Sequence, residues 1–218
     1  KDIINKKSIN EIDYSKTSLL DDIIYLIEKK GKKYIVNELN IVNGTLHRWL
    51  DNKSVPKSYQ IDIKKMRYAE IDYSKFTYKE KDQFFTPDNI CEYSYNKFID
   101  VMNEYDVNLD NYTYIEPSAG DGAFLKVLPK NTISFDIEPR NNNIIKQDYL
   151  KWVPNKDTNK YITFGNPPFG LRGNLALKFI NHSSQFSEHL CFILPPLFES
   201  DGRGSPMKRV IEYNLIYS

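Results

Sequence analysis

The chain has 218 residues, of which 40% are hydrophobic and 27% are charged, as is usual for a globular protein with one medium domain and a small appendage. It contains no apolar run of membrane-span length and opens with no signal-peptide pattern, so we expect no membrane partner and a cytoplasmic location. The net charge is +1, but residues 1–75 carry 15 Lys and Arg against 11 Asp and Glu, and residues 76–218 carry 15 against 18.

The mildly basic residues 1–75 are predicted to form a small helical domain and a linker. Apolar residues at helical spacing predict a first helix over residues 18–30, and further short helices fit residues 34–39 and 45–50. Residues 51–80 are polar and are interpreted as a linker with one helix. The basic charge is compatible with a nucleic-acid partner, although an ordinary solvated surface explains it equally well.

Residues 34–50 contain a tight turn at Asn43-Gly44 and resemble the helix-turn-helix segments of repressors. The positions expected to pack inside this segment are Leu39, Ile41, Leu46 and Trp49. The positions expected to face outward and contact DNA are Asn43, Thr45, His47 and Arg48. The alternative is a helical bundle that serves only for packing or for contact with another protein.

Strand and helix patterns alternate in the catalytic part predicted for residues 76–218. The predicted strands are residues 112–115, 132–135, 161–164, 190–194 and 213–217, with a short further strand before residues 147–150. The predicted helices are residues 89–104, 123–128, 175–186 and 206–213. This alternation is typical of an α/β fold with a doubly wound, mostly parallel, Rossmann-like sheet, which binds ligands at the carboxyl ends of its strands.

The motif Asn166-Pro167-Pro168-Phe169 directly follows one of the predicted strands. Two consecutive prolines cannot continue a strand, so the backbone must leave the sheet there in a fixed, extended shape. The motif thereby presents a side-chain amide, a carbonyl oxygen and an aromatic face together. This trio suits a flat molecule with an exocyclic amine, because the oxygens accept hydrogen bonds from the amine and the ring stacks on the plane.

A glycine-containing turn, Glu116–Phe124, follows the predicted strand 112–115. Gly120 and Gly122 allow the backbone to approach a ligand closely. The turn is not a Walker loop, because no Lys-Ser/Thr follows, and it is not a full dinucleotide fingerprint. It indicates a site for a nucleoside-type cofactor or, alternatively, only a tight connection from strand to helix.

Acidic residues follow the next two strands. Asp136 is the first candidate, and Glu138 the second, for the position where ribose hydroxyls are bound in such folds. Ile137 is placed to lie on an adenine face. Asp148, just before Tyr149, is placed to accept a hydrogen bond from an adenine amine. Either carboxylate alone would more often be a solvated loop charge, but their order after the glycine turn favours a cofactor site.

Taken in order, these elements resemble an S-adenosylmethionine-dependent DNA adenine-N6 methyltransferase. The matching elements are Gln83-Phe84-Phe85-Thr86-Pro87, the Glu116–Phe124 turn, Asp136 with Asp148, and Asn166-Pro167-Pro168-Phe169. The resemblance covers about residues 81–200. The last motif is shared with protein-glutamine and guanine-N2 methyltransferases, whereas the Phe-Thr-Pro segment and the glutamate that opens the turn point to the DNA enzymes.

The resemblance implies a role for each element. The residues implied to bind the cofactor are Phe85, Thr86, Pro87, Glu116, Ser118, Ala119, Gly120, Gly122, Asp136, Ile137, Asp148 and Tyr149. The residues implied to act on the target base are Asn166, Pro167, Pro168 and Phe169. The target amine lies inside the DNA double helix, so the family's chemistry requires the base to be flipped out.

The resemblance implies direct methyl transfer without a covalent enzyme intermediate. Acceptors on Asn166 and Pro167 would hold the two amine hydrogens, and Phe169 would stack on the base. Cys91 and Cys191 lack the Pro-Cys context of cytosine-C5 enzymes and are interpreted as buried thiols. No metal site is expected.

The family's fold normally continues with a seventh strand and a recognition region, neither of which we find. We therefore expect the chain to be truncated at its C-terminus, or recognition to come from the N-terminal helices or from a second subunit. Binding to the enzyme's own promoter is a third possibility for the helices. As a modification enzyme, the protein would have a cognate restriction endonuclease as a partner.

Two rival functions stay open on the sequence alone. The first is a methyltransferase that acts on another amine, namely cytosine N4, RNA adenine or a protein glutamine. The second is a non-catalytic DNA-binding regulator built on a methyltransferase scaffold. The intact motifs around Thr86 and Asn166 argue against the second.

Overall fold

The structure is a computed structural model that describes residues 17–68, 71–77, 83–155, 159–200, 202 and 205–218. The chain divides into two compact units, Lys1–Lys81 and Asp82–Ser218. Residues 1–16 of the predicted helical domain lie outside the described residues. None of the helices that are described is long and apolar enough to cross a membrane.

The described part of the first unit is helical. Its α-helices are α1 (Leu19–Lys30), α2 (Lys32–Glu38), α3 (Asn43–Asp51) and α4 (Gln60–Arg67). The three helices predicted from the sequence are confirmed, and α4 is the helix expected within the polar segment. The turn predicted at Asn43-Gly44 is wrong, because α3 already begins at Asn43 and the chain turns over residues 39–42 instead. α1 begins with a capping box, in which the Ser18 hydroxyl accepts from the Asp21 N–H at 3.1 Å and the Asp21 carboxylate accepts from the Ser18 N–H at 3.0 Å.

The helices of the first unit pack around one apolar core. Its buried members are Ile23, Leu26, Ile35, Leu39, Ile41, Leu46, Trp49 and Ile63. All four positions predicted to pack inside the helix-turn-helix segment are among them, which confirms that part of the prediction. Because burying a side chain of this size is worth about 1.5–3 kcal/mol, these residues are the main source of stability of the unit.

A buried ion pair joins α1 to α4. Asp22 Oδ2 lies 2.6 Å from Lys64 Nζ, and both side chains are almost fully excluded from solvent. Arg67 adds a second cation, because its Nε lies 3.4 Å from Asp22 Oδ1 and its guanidinium lies 3.1 Å from the centre of the Tyr25 ring. Since either charge would be costly to bury alone, the pair favours one packing register of the two helices.

The described part of the second unit contains one parallel sheet. Its strands are β1 (Tyr112–Glu116), β2 (Ile133–Asp136), β3 (Ile145–Lys146), β4 (Lys160–Gly165) and β5 (Ser187–Phe192). They lie in the order β3-β2-β1-β4-β5, and each pairing is parallel. The predicted Rossmann-like sheet is confirmed, with β1, β2 and β4 within one residue of their predicted bounds.

Helices cover both faces of this sheet. They are α5 (Asp88–Glu104) and α6 (Asn174–Ser183). Alternate residues of a strand point to opposite faces, so Tyr114 and Phe164 pack with α5 on one face. Ile115 and Tyr161 point to the other face, where α6 contributes Phe179 to the cluster. The two clusters hold the strand ends, and therefore the loops that follow them, in fixed positions.

Two of the predicted helices are much shorter than expected. Residues 123–128 form only a 3-10 helix, Phe124–Lys126, because the proline that follows residue 128 restricts the backbone and leaves no room for a second turn. Residues 206–213 likewise form a 3-10 helix of four residues, Pro206–Arg209. Both segments are therefore loops with a single turn each.

The predicted strand over residues 213–217 is wrong. In the described part of the chain these residues pair with no strand. The Tyr213 hydroxyl instead donates to the Ser187 carbonyl at 2.8 Å, so a side chain makes the contact to β5. An apolar, aromatic stretch satisfies the pattern of a strand, but the pattern does not supply a partner for its backbone.

We expect Asp22→Asn to destabilise the first unit by about 3–5 kcal/mol, because it leaves the Lys64 ammonium buried without its carboxylate. Urea unfolding followed by circular dichroism measures the change. The matched control is Asp51→Asn at the exposed end of α3, which should lie within about 0.5 kcal/mol of wild type. Equal unfolding midpoints for the two variants would contradict the role given to the buried pair.

Candidate active site

The carboxyl ends of four adjacent strands bring four predicted site residues to one edge of the sheet. In spatial order, β3 leads to Asp148, β2 ends at Asp136, β1 ends at Glu116, and β4 runs into Asn166. All four ends lie at the same edge because the strands are parallel. The strand order reverses between β1 and β4, and ligands of open α/β sheets bind in the crevice at such a reversal.

The amide of Asn166 is held from one side only. Its Nδ2 donates to the Thr86 hydroxyl at 3.1 Å, and its backbone carbonyl accepts from Ser118 Oγ at 3.1 Å. Its Oδ1 is buried and accepts no hydrogen bond from the described residues. Pro167 is buried and Pro168 is half-buried. An unpartnered buried acceptor costs about 1–3 kcal/mol, so the Asn166 oxygen is suited to a donor brought by a ligand.

The backbone that carries the Phe169 ring is held by the start of α6. The Phe169 carbonyl accepts from the Leu175 N–H at 3.1 Å. Gly170 between them has φ +66°, and a Cβ there would lie 2.6 Å from Leu175 Cβ, so only glycine permits this approach. The amide, carbonyl and aromatic ring of the motif are thus built together on a constrained backbone at the end of β4.

The turn after β1 wraps closely around the ends of β1 and β2. The Ala119 N–H donates to the Phe135 carbonyl at 2.8 Å, and the Gly122 N–H donates to the Ala119 carbonyl at 2.7 Å. Gly120 and Gly122 have positive φ angles of 58° and 89°. A Cβ on Gly120 would lie 3.5 Å from the Phe85 ring. The Phe85 ring therefore lies directly against the backbone of the turn.

Glu116 is a buried carboxylate whose side chain is incompletely paired. It is 1% exposed, and its Oε2 has no hydrogen-bond partner among the described residues. Burial, followed by repulsion from Asp136 and Asp121, raises the pKa of Glu116 from its ordinary value of 4.5 to about 8. A ligand that brings a cation or a hydrogen-bond donor would remove much of this penalty.

Asp136 connects the glycine turn to the end of β2. Its Oδ2 accepts from the Gly120 N–H at 2.8 Å, and its Oδ1 accepts from the Glu138 N–H at 2.7 Å. Each carboxylate oxygen has a second lone pair, so the side chain can still accept from a ligand hydroxyl. Ile137 beside it is 38% exposed and offers an apolar surface.

Asp148 and Tyr149 follow β3 but differ in exposure. Asp148 is half-buried; its Oδ1 accepts from the Leu150 N–H at 3.1 Å, and its Oδ2 lies 3.5 Å from Lys151 Nζ. Tyr149 is 1% exposed, and its hydroxyl hydrogen-bonds with Ser183 Oγ at 2.8 Å. The Tyr149 side chain therefore belongs to the core, and only the backbone of this predicted cofactor residue is left to contact a ligand.

The segment before α5 carries Phe85, Thr86 and Pro87, and its Thr86 is bound to the end of β4. Phe85 is 40% exposed, and the Arg140 guanidinium lies 4.6 Å from the centre of its ring. The Arg140 N–H donates to the Gly120 carbonyl at 3.0 Å. The upstream segment, the glycine turn and the loop after β2 therefore meet at one place.

Sequence reasoning assigned no role to Phe84 or Arg140. The Phe84 ring lies within 24° of parallel to the Phe169 ring, with the two ring centres 6.4 Å apart. In the sequence, only the position of Phe84 directly before the Phe85-Thr86-Pro87 segment pointed to a role for it. Arg140 gave no signal, because only the folded β2–β3 connection brings it to Phe85.

Both cysteines are free thiols. Burial is the main reason that the pKa of Cys91 is raised to about 11 and that of Cys191 to about 12. Both thiols are therefore protonated near neutral pH and are poor nucleophiles. Among the residues that the structure describes, no group of three His, Cys, Asp or Glu side chains is placed to hold a metal ion.

The helix-turn-helix-like segment of the first unit exposes most of its predicted contact positions. Asn43, His47 and Arg48 are exposed, whereas Thr45 is half-buried. His47 Nε2 lies 3.4 Å from Lys32 Nζ, so α2 adds a basic group beside α3. This surface is suited to an anionic partner.

The site residues at the strand ends, Asp148, Asp136, Glu116 and Asn166, form one row along an edge of the sheet, which we call the polar row. The protein has an α/β fold with a five-stranded, all-parallel, Rossmann-like sheet preceded by several helices. Comparisons with protein-family models, curated proteins and solved structures found no match for this chain.

Glu116 gives the fold a specific pH dependence. Its pKa is near 4.5 in the unfolded chain and about 8 in the folded protein, so the folded state binds the extra proton between these values. Stability is therefore expected to fall as pH rises from about 4.5 to about 8, by at most about 5 kcal/mol. We expect Glu116→Gln to remove this fall, so that the variant matches wild type near pH 5 and is more stable near pH 8.

Urea unfolding between pH 5 and pH 8.5 measures this difference. Glu104→Gln at the exposed end of α5 is the control, and its stability should follow the wild-type curve. Parallel curves for wild type and Glu116→Gln would show that the buried carboxylate carries no such penalty.

Proposed function

We propose that the protein transfers a methyl group from S-adenosylmethionine to the N6 amine of an adenine flipped out of double-stranded DNA, as the modification enzyme of a restriction-modification system. The observation that carries the proposal is the buried, unpartnered Oδ1 of Asn166. Its Nδ2 is already bound to Thr86, so the free end of the amide is an acceptor. An exocyclic amine is the complementary donor.

The residues around the glycine turn fit the cofactor. The buried Oε2 of Glu116 lacks a partner among the described residues, and the methionine part of S-adenosylmethionine carries an ammonium group. Asp136 retains lone pairs for ribose hydroxyls, Ile137 offers an apolar surface for adenine, and Asp148 offers a carboxylate for the adenine amine. Thr86, which binds Asn166, links the cofactor side of the site to the amine side.

The protein's part in the reaction is to position and polarise the amine. The lone pair of adenine N6 is delocalised into the ring, so the amine is a poor nucleophile. Acceptors on Asn166 and the Pro167 carbonyl would hold its two hydrogens and favour the tetrahedral nitrogen that forms in the transition state. Phe169 would stack on the base and hold it in line. When bound, S-adenosylmethionine supplies the electrophilic methyl group.

One observation weighs against the alternative of a non-catalytic DNA-binding regulator. The buried acceptors of Glu116 and Asn166 that have no partner among the described residues each cost stability, and a scaffold used only to bind DNA would gain by losing them. For an enzyme, the raised pKa values of Cys91 and Cys191 fit a direct transfer without a thiol nucleophile.

The exposed face of α3 supports DNA as the partner. Asn43, His47 and Arg48 are exposed there beside Lys32. A helix that presents amide and cationic side chains can contact phosphates and base edges. We propose that this unit binds the DNA on which the second unit acts, with a second subunit or a cognate endonuclease as further partners.

We expect Asn166→Ala to abolish methyl transfer to DNA, with a loss of at least about 100-fold, because the amine loses its acceptor. A tritiated-methyl assay on DNA from a methylation-deficient strain measures turnover, and calorimetry measures cofactor affinity, which should change little. Asn103→Ala at the exposed end of α5 is the matched control and should keep full activity. Unchanged turnover in Asn166→Ala would remove the motif from the reaction.

We expect Arg48→Ala to weaken DNA binding and to lower the slope of log affinity against log salt by about one, because one phosphate contact is lost. Fluorescence anisotropy over a salt series measures both quantities. Lys130→Ala is the control, since Lys130 lies just before β2, at the edge of the sheet opposite the polar row. A salt series identical to that of wild type would assign α3 to packing or to protein contact.

A further inference from the structure

Phe84 is an exposed aromatic side chain with a defined neighbour. It is 61% exposed. The plane of its ring lies within 24° of the plane of the Phe169 ring, and the two ring centres are 6.4 Å apart. A single exposed phenylalanine needs no explanation, but one aligned with the ring of a candidate catalytic motif does.

The backbones that carry the two rings are tied together. Two residues after Phe84, the Thr86 hydroxyl accepts from Asn166 Nδ2 at 3.1 Å. Three residues after Asn166, the Phe169 carbonyl is bound to the start of α6 through the Leu175 N–H. Both rings are therefore carried by short segments that are anchored close to Asn166, whose Oδ1 has no partner among the described residues.

We propose that Phe84 and Phe169 form a two-sided clamp that takes the target as a flat nucleobase, stacked on both faces. This inference rests on the proposed function and adds Phe84 to it as a second stacking residue. A base held between two rings needs a separation of about 7 Å, which is twice the optimal contact distance of about 3.5 Å. The observed 6.4 Å is close to that separation, so a small rotation of the exposed Phe84 ring admits the base.

The clamp selects a nucleobase over the amide of a glutamine side chain. Both substrates present an amine that Asn166 can accept from, so the amide-binding motif alone does not separate them. A base has two extended π-faces, and stacking is worth about 1–3 kcal/mol per base. A glutamine amide is small and sits at the end of a flexible chain, so a second aromatic wall adds little to its binding.

We expect Phe84→Ala to lower the rate of methyl transfer to DNA at sub-saturating concentration by about 10- to 100-fold, which corresponds to the loss of one stacking face. The substrate is genomic DNA from a methylation-deficient strain, because it contains many sequences. Cofactor affinity, measured by calorimetry, should stay within about twofold. Phe84→Tyr restores a stacking face and should recover most of the rate, which a purely structural role for Phe84 would not explain.

The matched control is Tyr105→Ala. Tyr105 is also an exposed aromatic residue, at 59%, and it follows the far end of α5, about 25 Å along that helix from the site. Its removal should leave the rate unchanged. If Phe84→Ala retains the wild-type rate on DNA, the clamp is overturned and the proposed methyl transfer stands.

Two further experiments distinguish an error in the proposed clamp from an error in the proposed function. A glutamine-containing peptide is offered as the alternative acceptor, and methylation of the peptide but not of DNA would overturn both the base target and the clamp. A single-stranded oligonucleotide carrying 8-azidoadenine, which keeps the exocyclic amine, is cross-linked to the wild-type chain by light, which needs no turnover. Cross-links at Phe84 support the clamp even if no methyl transfer is found, whereas cross-links at Phe169 alone or only elsewhere, or none, overturn it.

Discussion

The parallel pairing of β3, β2, β1 and β4 is the constraint on which the rest of the second unit depends. Because the strands run in one direction, each ends at the same edge, and the residues that follow them are forced together. Asp136, Glu116 and Asn166 lie far apart in the sequence yet form one row. Ligands of open α/β sheets bind where the strand order reverses, which here lies between β1 and β4, so the proposed methyl donor and target amine would meet between Glu116 and Asn166.

Burying this row of polar residues lowers the stability of the fold. Glu116 is buried with one unpartnered oxygen and a raised pKa, and Asn166 Oδ1 is buried without a donor from the described residues. Hydrophobic packing of α5 and α6 on the two faces of the sheet offsets this cost. Groups that lower stability in the free protein and match a donor or a cation in a ligand are typical of functional sites. The proposed function therefore also explains why the penalties are retained.

Much of this arrangement could be predicted from the sequence, because it depends on local signals. Apolar runs gave β1, β2 and β4, and the prolines after Asn166 placed the motif at a strand end. The failures lie where long-range contacts decide. Residues 213–217 have the pattern of a strand but pair with no strand among the described residues. Tyr149 was predicted to contact the cofactor, but its ring is buried in the core. Phe84 acquires a possible role only through the position of Phe169, 85 residues later in the chain.

The proposed function gives the two units different tasks, because the contacts that each unit can make specify different things. Asn166 and the proposed ring clamp can read only the base that has left the double helix, so they select an atom and a ring but no sequence. Sequence is read by contacts to base edges in a groove, and those need exposed polar side chains on a rigid element. Within the described residues, α3 presents such side chains at Asn43, His47 and Arg48. The strand ends are thus the proposed place of the chemistry, and the helical unit is the candidate for choosing where on DNA that chemistry occurs.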